Sequence, residues 1–175
     1  LSLIEDASAA GLQDILSGID RAACNEDIDG MVLESAVFMG GGSAAQEIRT
    51  ALERFSESGK PIYAYGTFFS ARGLYLSSAA DSLFLNPSGM MDWTGMSLGV
   101  SYYKGMLDKI GVEAQAIRGS NNQFKSAVEP FIQEEMSSSN RLQLETLAGD
   151  LWNEMKKTVA SSRGLDPEFL QKLAD

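Results

Sequence analysis

The stretch "PIYAYGTFFSARGLYLSSAADSLFLNP", Pro61–Pro87, decides the fold. "PIYAYGTFF" has the β-branched and aromatic content of a buried strand. "SARGLYLSSAAD" follows as a helix rich in small residues, against which another backbone can pack closely. "SLFLNP" is a second strand, which Pro87 is expected to stop. Strand, helix and strand in succession predict α/β layers with a largely parallel sheet.

The same alternation extends outward. On the N-terminal side, "GMVLES" is of strand length and runs into "AVFMGGGSAAQEI", whose glycines precede a periodic stretch through Ile48, Leu52 and Phe55. Earlier still, Leu12, Ile15, Leu16 and Ile19 repeat at helical spacing, with Ser8 as the expected cap. On the C-terminal side, "SGMMDWTGMSLGV" is predicted irregular, residues 102–110 helical, and "GVEAQAIR" a strand. Leu144, Leu147, Leu151, Met155 and Val159 then form a stripe predicting a helix of about six turns. "LDPEFLQKLAD" predicts a last helix with Asp166 as cap and Pro167 at its first position. No period of about 20 to 50 residues is present. One domain is expected, an α/β core over residues 1–135 with a helical extension over 136–175.

With 175 residues and 44% apolar content the chain fills a real core. The 24 acidic residues outnumber 14 basic ones, a net charge of −10 that disfavours nucleic acid, phosphate-rich ligands and anionic membrane surfaces. There is no histidine, which removes Ser-His-Asp triads, Cys-His dyads and His-ligated zinc; a base has to be Lys, Asp, Glu or Tyr. The single cysteine, Cys24, forms no internal disulfide and is expected as a small core residue. No residue is singled out as cofactor-binding or metal-ligating. No apolar run approaches the roughly 20 residues of a membrane span, and the basic-then-apolar layout of a secretory signal is missing from "LSLIEDAS".

Three constellations carry chemistry. In "MGGGSAAQEI", three glycines between strand and helix let backbone N–H groups face an anion or oxyanion; the plain reading is a tight turn that needs positive φ. In "GTFFSARGL", Ser70 stands at a strand-to-helix corner, the usual place of a nucleophile; with no histidine to activate it, the plain reading is a helix cap. Lys125, in "FKSAVEPF", becomes a base only if its pKa falls from about 10 toward neutrality. Phe124, Ala127, Val128 and Phe131 supply apolar surroundings, and a helix N-terminus there would act in the same direction, Glu129 in the opposite one. On composition alone, Lys125 reads as a solvated amine. Trp93, Trp152 and Phe68/Phe69 read as packing, and Asp150 and Glu154 as a solvated helix face.

"SGKPIYAYG", "RGLYLSSAAD", "NPSGMMDWTG", "YYKGMLDKIGV" and "KSAVEPF" together resemble, in order and spacing, the bacterial signal peptide peptidase A (protease IV) family in its long two-repeat form, over roughly residues 30–163. The resemblance implies a crotonase-like (ClpP-like) α/β fold of stacked βαβ units with C-terminal helices. It also implies that this chain corresponds to the N-terminal repeat, with Lys125 as the general base of a Ser/Lys dyad and the nucleophilic serine on a C-terminal repeat. The nucleophile position falls on Ala71 and the glycine after it on Arg72, a dead copy, beside which the glycine turn has no acyl-enzyme to stabilise. Ser126 and Glu129 are candidates to orient or tune Lys125. Substrates implied are remnant signal peptides. Implied partners are the C-terminal repeat, further copies in a homo-oligomer, and the bacterial inner membrane through a segment outside this chain, with the domain on the periplasmic side. Two other readings stand beside this one, a non-catalytic assembly module of the same fold and, more weakly, a crotonase-type acyl-CoA enzyme.

Overall fold

The computed structural model describes residues 10–34, 38, 40–117, 119 and 124–175. The chain divides into two compact units, Leu1–Thr94 together with Lys156–Asp175, and Gly95–Met155. The first is the α/β layer. Helix α1 (Leu12–Cys24) leads to strand β1 (Met31–Leu33), helix α2 (Gly42–Ser56), strand β2 (Ile62–Phe69), helix α3 (Ala71–Ser77) and strand β3 (Ser82–Met91). The three strands form one sheet in the order β1-β2-β3, parallel at both pairings, as the alternation predicts. Ile62 and Ala64 turn inward on β2 and pack with Ile48, Ala51, Leu52 and Phe55 of α2, Ile19 of α1 and Leu76 of α3. Alanines at the helix contacts let the backbones approach, which explains why small residues crowd these elements. The other side of β2 presents Tyr63 and Tyr65 to solvent, as β1 presents Val32 and β3 Phe84.

Pro87 does not stop the second strand. β3 continues to Met91, because the register pairs Gly66 with Leu85 but Phe68 with Met90, a bulge that takes up Asn86, Pro87, Ser88 and Gly89. A proline removes one ladder donor, which an edge strand tolerates at a bulge. Asn86 Oδ1 accepts from the Ser88 amide at 3.0 Å, and its Nδ2 donates to Tyr65 Oη at 2.9 Å. Gly89 is required there: a Cβ would meet the Thr67 carbonyl oxygen at 2.6 Å. Another departure is Cys24, which is exposed at the end of α1, because the apolar face of that helix runs through Ile15, Leu16 and Ile19. The α1 cap is Gly11; Ser8 lies outside the described residues. The opposite end of α1 is closed by Lys60, whose Nζ donates to the carbonyls of Ala22 (2.9 Å), Ala23 (3.0 Å) and Asn25 (2.6 Å), a cation on the negative end of a helix.

Two arginines do the same for α3. Arg49, buried on α2, donates to the Tyr75 carbonyl (2.5 Å), to Ser78 Oγ (2.8 Å) and to Ser162 Oγ, pairs with Glu53 at 3.1 Å, and lies 5.1 Å from the Tyr75 ring centre. Arg163 donates to the carbonyls of Ser77, Ser78 (3.0 Å) and Ala80. Burial lowers the pKa of both guanidinium groups from the usual arginine value, with Glu53 opposing the shift at Arg49 and Asp81 at Arg163. Arg49→Met keeps the volume and strands the carbonyl and hydroxyl acceptors, so urea unfolding is expected to show a loss of about 2–3 kcal/mol.

The last helices read as expected. α6 (Ser138–Arg163) has 26 residues, and α7 (Pro167–Ala174) starts with Pro167 after Asp166, whose side chain accepts from the Glu168 amide at 3.0 Å. Trp93, buried, donates from Nε1 to the Leu170 carbonyl at 2.8 Å. The second unit holds α4 (Lys104–Lys109), α5 (Glu129–Ile132) and the first part of α6. The strand expected in "GVEAQAIR" does not form: residues 112–117 have no strand assignment, and Ile117 is fully exposed. A strand needs a neighbour to satisfy its backbone, and no described segment pairs with this one.

Candidate functional site

The "KSAVEPF" segment is built as an open end and a fixed end. At the fixed end, Glu129 is only 3% exposed and its carboxylate accepts three hydrogen bonds at the start of α6, from Ser137 Oγ (2.7 Å), the Ser137 amide (3.3 Å) and Asn140 Nδ2 (3.1 Å). Ser137 in turn caps that helix, its Oγ accepting from the Asn140 amide at 3.1 Å. Pro130 accepts from the Tyr103 amide at 2.7 Å, and the Phe131 ring stacks on Tyr103 with centroids 6.0 Å apart. At the open end, Lys125 is exposed, with neither hydrogen bond nor ion pair among the described residues. The apolar enclosure expected for it is not assembled by these residues: Phe124 is 52% exposed, Phe131 is 48% exposed, and Ala127 faces solvent. Among the described residues, no helix N-terminus lies at the amine to add its dipole. α5 begins four residues later and has a single turn, too short for a useful dipole at the amine.

Glu129 does not pair with Lys125; its oxygens are occupied at α6. Ser126 meets the fixed end through its carbonyl, which accepts from the Glu129 amide at 2.9 Å. Lys104, in the same unit, is a poorer candidate base, since the hydrogen bond and charge of Asp108 at 2.5 Å raise its pKa above the usual lysine value. A cleft of about 510 Å³ lies between Lys104 and residues 132–138 and does not include Lys125.

In the other unit, the strand-to-helix corner carries no activated hydroxyl. Ser70 caps α3, its Oγ accepting from the Gly73 amide at 3.1 Å, as the plain reading expects. Ala71 offers no nucleophile. Arg72, next to it, reaches from α3 to the Gly40 carbonyl at 3.1 Å and so ties the corner to the glycine turn. That turn does not rely on positive φ: Gly41 has φ −67°, and Gly40 and Gly42 are also outside the left-handed region. A Cβ at Gly40 would meet the Phe38 ring at 2.3 Å, so a side chain there would require that ring to shift. Met39 lies outside the described residues.

The profile of Peptidase family S49 matches residues 54–175, which contain β2, the corner at Ala71, "KSAVEPF" and all the later helices. The chain belongs to Peptidase family S49. Among curated relatives it is similar to "Protease 4" of Salmonella typhi, 36% identical over 160 residues, which are 91% of this chain and 26% of that protein. It is 34% identical to "Protease 4" of Haemophilus influenzae over 153 residues, 87% of this chain and 25% of that protein. It is 26% identical to "Serine protease SPPA, chloroplastic" of Arabidopsis thaliana over 164 residues, 94% of this chain and 24% of that protein. The chain thus spans about a quarter of the length of these relatives.

The parallel sheet with its flanking helices is the α/β, ClpP-like (crotonase-like) architecture of S49, as the resemblance implies. Within the S49 match, the partners of Glu129 are what sequence reading missed. Ser137 and Asn140 stand 8 and 11 residues downstream of it. A serine one residue before a helical run is a cap signal that was available in the sequence; that a distant glutamate closes on the same cap was not.

Proposed function

We propose that this chain is the base-donating part of an S49 serine peptidase, with Lys125 as the general base and the nucleophilic serine supplied by a second, homologous repeat. The observation that carries the reading is the "KSAVEPF" segment inside the S49 match, its Glu129–Phe131 end fixed between α4 and α6 and its lysine left open toward solvent. A histidine-free chain with Ala71 at the corner supports a division of labour in which the alcohol comes from elsewhere. In the reaction, a neutral Lys125 takes the serine proton as the serine oxygen bonds to the peptide carbonyl carbon. The protonated amine then gives that proton to the leaving nitrogen as the C–N bond breaks, and water cleaves the remaining ester with the same lysine as base. The second repeat would also supply apolar cover for the amine.

Remnant signal peptides fit as substrates through the family resemblance, with attachment to the bacterial inner membrane, on its periplasmic side, by a segment outside this chain. No helix among the described residues is long and apolar enough to cross a membrane. Assembly into a homo-oligomer is a second role favoured by one observation: parallel sheets are normally covered on both faces, whereas Val32, Tyr63, Tyr65 and Phe84 stand exposed on one side of this one.

The test compares the chain alone with the complete protein on a fluorogenic apolar peptide. The complete protein is expected to turn over, and the chain alone is expected to give no hydrolysis above background. Turnover by the chain alone that Lys125→Ala abolishes would refute the division of labour, since Ser70 or Ser126 would then have to be the nucleophile.

A further inference from the structure

We propose that Glu129 is the positioning residue for Lys125: its buried carboxylate locks the "KSAVEPF" segment onto the start of α6 and thereby fixes where the amine is presented. The inference rests on the reading of Lys125 as base. A carboxylate this deeply buried with no cationic partner among the described residues is an expensive way to fill space, because desolvation penalises the charge and only hydrogen bonds and the helix N-terminus offset it. A glutamine or leucine would pack there at lower cost. What the carboxylate adds is a three-point attachment, to Ser137 Oγ, the Ser137 amide and Asn140 Nδ2, that no neutral side chain reproduces, since all three partners donate.

The attachment is transmitted to the lysine by the backbone. The Glu129 amide donates to the Ser126 carbonyl at 2.9 Å, so residues 126–129 form one closed turn whose far end is adjacent to Lys125. On the opposite side, the Tyr103 amide holds the Pro130 carbonyl, and the Tyr103 ring holds Phe131. Among the described residues, the hydrogen bonds and the ring contact that fix the segment lie at residues 126–131, and the exposed lysine extends from that anchored base. Glu129 acts through geometry and not as a counter-ion, because its oxygens face α6 and no ion pair joins it to Lys125.

The experiment uses the complete enzyme and three variants, Glu129→Gln, Lys125→Ala, and the exchange Glu129→Gln with Asn140→Asp, which restores the 129–140 hydrogen bond with donor and acceptor reversed. Hydrogen exchange is read on the peptide covering residues 124–132, with a β2 peptide as internal control, and steady-state rates are taken per folded molecule. Glu129→Gln is expected to speed exchange in 124–132 but not in β2, and to lower kcat by about 10- to 100-fold with KM within about twofold, the effect of misplacing a reacting group by about an ångström. The exchange variant is expected to regain part of both. Unchanged exchange at 124–132 overturns the proposal, as does faster exchange with undiminished kcat in an enzyme that Lys125→Ala inactivates. Full activity of Lys125→Ala removes the underlying reading itself, an outcome recognisable apart from the other two.

Discussion

Lys125→Ala in the complete enzyme is expected to lower kcat by about 10²- to 10⁴-fold, the range in which a positioned general base contributes, while KM changes little. Lys125 is exposed and makes no hydrogen bond or ion pair among the described residues that would be lost on truncation, so the melting temperature should stay within about 1–2 °C of wild type, as for surface substitutions generally. That combination separates chemistry from folding. Lys125→Arg sharpens the test, because a guanidinium retains positive charge and length but does not give up its proton near neutrality. It is expected to be as inactive as alanine, whereas a lysine that merely held an anionic group would be replaced by arginine with most activity kept. Peptide hydrolysis and a thermal scan on the three proteins decide the matter, and an active Lys125→Ala enzyme would favour the assembly role.

Much of the fold was legible because its signals are local. The alternation in "PIYAYGTFFSARGLYLSSAADSLFLNP" gives β2, α3 and β3 in place, Ser70 caps its helix, and Asp166 with Pro167 opens the last one. The failures share a physical cause, a dependence on partners distant in sequence. Pro87 is tolerated because β3 is an edge strand with a bulge, a fact about sheet order that no local pattern carries. Residues 112–117 alternate like a strand yet find no strand to pair with. Cys24 sits in a helical pattern but falls outside the core face, and Lys60, in the unremarkable "SGKP", closes a helix that ended some 35 residues earlier. At the site, the role proposed for Lys125 rests on the family resemblance and not on its surroundings among the described residues, which leave it open. The anchoring role of Glu129 depends on Ser137 and Asn140 across a turn that sequence spacing alone does not close.

The largest stability effect is expected at Phe55, not at the aromatic residues of the "FKSAVEPF" segment. Phe55 is fully buried where α2 meets β2, among Leu52, Ile48 and Ile62, and no solvent reaches its ring. Phe55→Ala should therefore lose both the transfer free energy of the ring and the contacts around the cavity it leaves, about 3–5 kcal/mol. Against a typical total of about 5–15 kcal/mol, that loss unfolds a marginal domain outright. Phe55→Leu, which refills most of the volume, is expected to retain the majority of the stability. Phe131, half exposed and stacked on Tyr103, should lose much less on truncation, because water already reaches one side of its ring. Urea unfolding followed by circular dichroism ranks the three variants. The order Phe55→Ala, then Phe55→Leu and Phe131→Ala well below it, places the stability of the chain in the α/β layer and leaves the lysine segment free to be tuned for chemistry. A Phe131→Ala loss as large as that of Phe55→Ala would instead make "KSAVEPF" a folding element first, and its lysine would need a different explanation.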